Sequence, residues 1–112
     1  MTQKLSNIGT VTAANSSTLN DGASALVLST QAYAEQKGFK PLARIVAMAD
    51  AATHPKKFTI APSIAIPLAL KKANLSINDI SLFEINEAFS VVALANQKVC
   101  HIQHPRHCCF GY

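Results

Sequence analysis

Hydrophobic and polar positions change period several times along the chain, and each change marks an element. Residues 23–29 are a compact apolar run behind Asn20-Asp21-Gly22, a turn signal, and predict a buried strand. A helix is expected next: Thr30 can cap it, residues 31–37 are good helix formers with Ala32, Tyr33 and Ala34 on an apolar side, and Gly38 is a natural stop. Pro41 reopens an extended segment, and residues 42–49 alternate loosely as a second strand. Residues 51–60, with His54-Pro55-Lys56-Lys57, read as a loop.

Ser63 can cap a second helix running to about Ala73, with Ile64, Leu68 and Leu75 at helical spacing and Pro67 in or near the first turn. Residues 76–79 resemble a capped turn. Residues 82–85 predict a short strand in which Leu82 and Glu84 oppose Phe83 and Ile85. At Asn86 the period changes, since Ala88, Val91, Val92 and Ala95 fall at i, i+3, i+4 and i+7; a third helix is expected from there to about Lys98. Strand and helix alternate, so the predicted fold class is α/β with parallel or mixed pairing.

Composition narrows the picture. Only 14% of the 112 residues are charged while 49% are hydrophobic, which is too little charge for a fully solvated surface and favours faces meant to be covered. The length allows one small domain or a piece of a larger one. The net charge of +4 comes from scattered or paired basic residues without aromatic interleaving, so no nucleic-acid partner is expected. The apolar runs are short and broken by Pro62, Ser63 and Pro67, so no membrane span is expected either. Residues 1–7 have neither the apolar core of a signal peptide nor the arginines of a transit peptide. All 3 cysteines lie near the C-terminal end, an odd count that is no disulfide framework and makes a reducing compartment the default.

Three groups of residues could carry chemistry. Asn86-Glu87-Ala88-Phe89 stands where a strand is expected to give way to a helix, the place where α/β folds present side chains to ligands; mere capping is the other reading, since Asn is a preferred N-cap and Glu in the first turn favours the helix dipole. Residues 10–17 are a run of small side chains that lets a ligand approach the backbone closely, or an ordinary connection. Cys100, His101, His104, His107, Cys108 and Cys109 are all competent metal ligands. They lack a C-x-x-C knuckle, however, and an unstructured tail is the simpler expectation.

The segments Gly9-Thr-Val-Thr-Ala-Ala-Asn-Ser-Ser17, Leu19-Asn-Asp-Gly-Ala-Ser-Ala25, Pro41-Leu-Ala-Arg-Ile45, Ala61-Pro62 and Phe83-Glu-Ile-Asn-Glu-Ala-Phe89 resemble, in order and spacing, the thiolases. Within that family they are most similar to the acetyl-CoA C-acetyltransferases, also called acetoacetyl-CoA thiolases. The resemblance implies a layered αβαβα fold of two similar halves, present here in part. Residues 9–40 would close the first half and residues 41–98 open the second, between a non-family segment 1–8 and a non-family tail 99–112.

The implied parent reaction is the reversible Claisen condensation of two acetyl-CoA to acetoacetyl-CoA and coenzyme A. It places the chain with acyltransferases of lipid metabolism that work as homo-oligomers in mitochondria or cytoplasm. Coenzyme A is then a substrate rather than a cofactor. By the same resemblance Asn86 would hold an oxyanion-hole water and Glu87 support it, while Ala13, Ser17, Ala88 and Phe89 would line the coenzyme A channel. In a mitochondrial subset of the family, backbone carbonyls hold a potassium ion, which would fall to Ala13, Ala14 and Ser16.

The sequence also departs from the family pattern. The nucleophilic cysteine of the first half and the Gly-His-Pro loop have no counterpart; His104-Pro105 follows Asn86 too soon and lacks flanking glycines. The 112 residues alone are therefore expected to be inactive. The alternative is a non-catalytic module that binds an acyl-CoA or a thiolase subunit.

Overall fold

The structure, a computed structural model, describes residues 9–102 and, as backbone, residues 107–108. Thr30 opens helix α1 (Gln31–Gln36): its side-chain oxygen accepts from the Tyr33 N–H at 3.2 Å. Gly38 closes it at φ +68°, a left-handed conformation that costs glycine little, and the Phe39 N–H returns to the Ala34 carbonyl at 2.8 Å. Both ends stand where the sequence placed them.

The expected loop at 51–60 is more regular than its composition suggested. Its second part winds into a 3-10 helix, Pro55–Ile60, whose first free N–H, that of Lys56, is accepted by the His54 ring. It leads directly into helix α2 (Pro62–Ala73), which ends on Asn74 in the left-handed region at φ 55°. Ser63 is inside this helix rather than its cap, and its hydroxyl donates to the Ile60 carbonyl at 2.7 Å. Pro67 also lies inside α2. Residues 76–79 form the expected capped turn: Asp79 accepts from both the N–H and the hydroxyl of Ser76 at 2.8 and 2.7 Å.

Strand β1 (Phe83–Glu84) buries Phe83 and exposes Glu84, and Ile85 beyond it is buried, in the predicted alternation. It pairs in parallel with β2 (His107–Cys108), Phe83 opposite His107 and Glu84 opposite Cys108. The expected strands at 23–29 and 42–49 do not form. A strand exists only by hydrogen bonding to a neighbour, and neither segment has a ladder partner among the described residues. Leu26, Val27 and Leu42 consequently stand 87%, 98% and 103% exposed. From the second segment, the Met48 carbonyl accepts from Lys72 Nζ on α2 at 2.9 Å.

Helix α3 (Ser90–Cys100) begins four residues later than the period change at Asn86 suggested. Phe89 is still extended at φ −142°, ψ 150°, because it bridges to Ser16 and cannot be helical at the same time. The buried face also differs from the predicted one: Val92, Ala93 and Asn96 are buried while Val91 stays exposed. The core among the described residues is small, made of Phe83, Ile85, Val92, Ala93 and Ile102 together with the buried Asn96, and Ala34 is buried on α1. No helix among the described residues is long and apolar enough to cross a membrane.

Candidate functional site

Two segments far apart in sequence meet at the head of α3. The small-residue stretch turns once as a 3-10 helix, Ala13–Asn15. Asn15 braces it, accepting from the Thr12 N–H at 2.7 Å and donating to the Thr10 carbonyl at 2.8 Å, while the Ser16 hydroxyl donates to the Thr12 carbonyl at 2.6 Å. The chain then runs alongside residues 88–89: Ser16 forms an antiparallel bridge with Phe89, and the Ser17 N–H donates to the Ala88 carbonyl at 3.0 Å.

These contacts bring together Ser16, Ser17, Ala88 and Phe89 among the residues singled out from the sequence. Ser16, Ala88 and Phe89 are half-buried at the junction, Ser17 is exposed beside it, and Ala13 and Ala14 are exposed on the preceding turn. Glu87 is half-buried and Asn86 exposed, both on the connection between β1 and α3. The capping role open to Asn86 is not one it plays, since α3 starts at Ser90 with Phe89 in the cap position.

The turn at 13–16 offers main-chain carbonyl oxygens, neutral hard donors of the kind potassium takes. Those of Ala13 and Ala14 belong to exposed residues and that of Ser16 to a half-buried one on the same short stretch, whereas that of Thr12 is engaged by the Asn15 N–H and the Ser16 hydroxyl. The donor chemistry therefore fits such an ion.

The cysteine and histidine cluster is only partly within view. Cys100 closes α3 and His101 follows it in the left-handed region at φ 53°. His104 and Cys109 lie outside the described residues, as do the side chains of His107 and Cys108. Among the described residues no three His, Cys, Asp or Glu side chains gather to hold a metal. Burial pushes the Cys100 thiol up from its ordinary value, which leaves it less thiolate at neutral pH and makes it a poor nucleophile.

Two residues were missed. Phe58, on the Pro55–Ile60 helix, meets Phe89 edge to face with ring centroids 6.1 Å apart at 62°. Asn96 is fully buried: its Oδ1 accepts from the Ser63 N–H at 2.9 Å, and its Nδ2 donates to the carbonyls of Thr59 and Val92, each at 2.8 Å. A signal for Asn96 was present, an amide three and four residues after the apolar pair Val92-Ala93. Nothing comparable pointed to Phe58.

Residues 39–111 match the family described as thiolase, C-terminal domain. The chain belongs to the thiolase family. Among thiolases, the mitochondrial acetyl-CoA acetyltransferase B of Xenopus laevis is 61% identical over 98 residues, covering 88% of this chain and 23% of that protein. The acetyl-CoA acetyltransferase of Schizosaccharomyces pombe is 55% identical over 98 residues, 88% of this chain and 25% of that one. The crystal structure of the Bacillus anthracis acetyl-CoA acetyltransferase superposes with a TM-score of 0.83 at 43% identity, over 88% of this chain and 25% of the other. That of human mitochondrial 3-ketoacyl-CoA thiolase gives 0.67 at 35% identity, over 70% and 20%.

The fold is thus a part of the layered thiolase α/β architecture, helix-rich with little strand of its own. The chain spans about a quarter of the length of the curated thiolases it matches.

Proposed function

We propose that the chain contributes one wall of the coenzyme A channel and one support of the oxyanion hole to an acetyl-CoA C-acetyltransferase. The parent reaction is the reversible condensation of two acetyl-CoA to acetoacetyl-CoA and coenzyme A. The observation that carries this reading is the Ser16–Phe89 bridge with the Ser17 N–H on the Ala88 carbonyl, which brings the small-residue loop and the Asn-Glu-Ala-Phe segment together.

In that setting Asn86 presents its amide to a water that donates to the thioester oxygen as negative charge develops there. Glu87 supports that geometry, and Ala13, Ser17, Ala88 and Phe89 line the channel for the pantetheine arm. A potassium ion on the carbonyls of Ala13, Ala14 and Ser16 would supply fixed positive charge beside the loop. Residues 9–40 close the first half of the thiolase and residues 41–98 open the second. The 112 residues alone form no acyl-enzyme, because the acyl transfer needs a positioned, activated thiolate. Cys100, with its raised pKa, does not offer one.

The test has two arms. Coenzyme A titrated into the chain is expected to perturb the amides of Ser17 and Ala88 and leave those of α1 unchanged. Coenzyme A-dependent cleavage of acetoacetyl-CoA by the chain alone is expected at background. Turnover that persists through repurification and is lost on mutation of Cys100, Cys108 or Cys109 would overturn the reading, as would coenzyme A leaving Ser17 and Ala88 unmoved.

A further inference from the structure

Asn96 lies on α3, about two turns beyond Phe89 and far in sequence from the loop at 13–17, and it is fully buried. A side-chain amide buried without partners is costly, and here both its donors and its acceptor are used. One bond stays within α3, to the Val92 carbonyl. The other two reach across to the neighbouring elements, the carbonyl of Thr59 on the Pro55–Ile60 helix and the N–H of Ser63 in the first turn of α2.

Thr59 follows Phe58, whose ring rests edge-on against Phe89. The Pro55–Ile60 helix is therefore fastened to the α3 region at two points: by Asn96 within the helix and by the Phe58–Phe89 contact just ahead of it. Phe89 is the residue bridged to Ser16, beside the hydrogen bond from Ser17 to Ala88.

We propose that Asn96 is a positioning residue for the substrate-facing loops, setting through Thr59 and Phe58 the place of Phe89 and hence the approach of Ser16 and Ser17. The inference rests on the proposed function for its meaning in catalysis, but the coupling itself is a property of this chain. It makes α3, the Pro55–Ile60 helix and the loop at 13–17 one mechanical unit. A change in the buried amide is then felt at a loop it does not touch.

Amide hydrogen exchange of the full chain tests this, read at Ser63, at Ser17 and, as a control, at Phe39 on the far side of α1. Asn96→Leu, close in size but without hydrogen bonds, is expected to lower protection about tenfold or more at both Ser63 and Ser17 and to leave Phe39 unchanged. Phe58→Leu retains the amide and removes the ring, so protection is expected to fall at Ser17 and persist at Ser63. A role confined to stability would instead move all three sites together.

Wild-type protection at Ser17 in Asn96→Leu, with only Ser63 weakened, would overturn the proposal. If Asn96→Leu loosens the whole chain, Phe58→Leu decides: loss at Ser17 alone supports the coupling and retention there refutes it. Coenzyme A added to the wild-type chain tells the two readings apart. No response at Ser17 would count against the proposed function while leaving the exchange pattern to judge Asn96.

Discussion

Asn96 caps helix α2 from helix α3: its side-chain oxygen accepts from the backbone N–H of Ser63, 33 positions earlier, at 2.9 Å. The first turn of any helix leaves N–H groups unpaired, and a local Ser, Thr, Asp or Asn ordinarily takes one of them. Ala61 occupies the cap position of α2 and has no side-chain acceptor to offer. Asn96→Ala leaves the Ser63 N–H and the Thr59 carbonyl without it, and denaturant unfolding is expected to show a loss of about 1–3 kcal/mol. Wild-type stability in this variant would mean that water takes over both groups without cost.

Asn86 stands four residues ahead of α3 and is exposed, so removing its side chain should not disturb the helix. In an intact parent enzyme, Asn86→Ala is expected to lower kcat by roughly 10 to 1,000-fold, the range for losing an oxyanion-hole donor or its support. The melting temperature should stay within a degree or so of wild type, as for surface changes generally. Measuring both on one preparation is decisive, and an unchanged kcat would remove Asn86 from the chemistry.

Cys100 is half-buried, and burial disfavours its thiolate. Its alkylation by iodoacetamide is expected to be slower at neutral pH than that of a solvent-exposed cysteine peptide and to rise with a midpoint above the ordinary thiol value. Mass spectrometry of the peptide containing Cys100 across a pH series would show it. A midpoint below the ordinary value would revive this thiol as a nucleophile.

Asp79 accepts from the Ser76 hydroxyl and then from the Ser76 N–H, and both bonds hold its carboxyl below the usual 3.8. A depressed carboxyl contributes stability that is present above its unfolded pKa and lost as pH falls through the lower folded value. The turn at 76–79 should therefore stay closed through the ordinary aspartate range and open only in stronger acid. The Asp79 carboxyl carbon, titrated by NMR, is expected to report this, and Ser76→Ala should move its midpoint back up. A midpoint unaffected by that change would separate the turn from the ionisation.

The apolar segments around Leu26 and Leu42 present side chains 87% and 103% exposed on backbone without a ladder partner among the described residues. Unpaired extended backbone with apolar side chains recruits other chains. Leu26→Lys and Leu42→Lys are expected to reduce self-association, measured by sedimentation, while leaving α1 exchange protection unchanged. Association as strong in the double variant as in the original chain would place the sticky surface elsewhere.

Helix α1 was legible because both of its boundaries are local chemistry, a hydroxyl at Thr30 and a flexible backbone at Gly38. The turn of Ser76 and Asp79 was legible for the same reason. Residues 23–29 and 42–49 have strand composition, but a strand is a relation between two segments and composition names only one of them. The start of α3 was misplaced because Phe89 is claimed by Ser16, some seventy residues away, a contact that periodicity does not register. The resemblance of two short motifs did point to the same pair of loops, yet Phe58 and Asn96, which hold them, carry no motif.

Pro67 inside α2 has no N–H to return to Ser63, the same residue whose own N–H is given to Asn96. The opening turn of α2 closes on the Ala61 carbonyl through the Ile64 and Ala65 N–H groups, but it lacks the Pro67 rung and takes the partner of its Ser63 N–H from a helix made later. On a ribosome, where the chain emerges in order, the cap of α2 is therefore incomplete until Asn96 has been made, and it is finished only by the packing of α3.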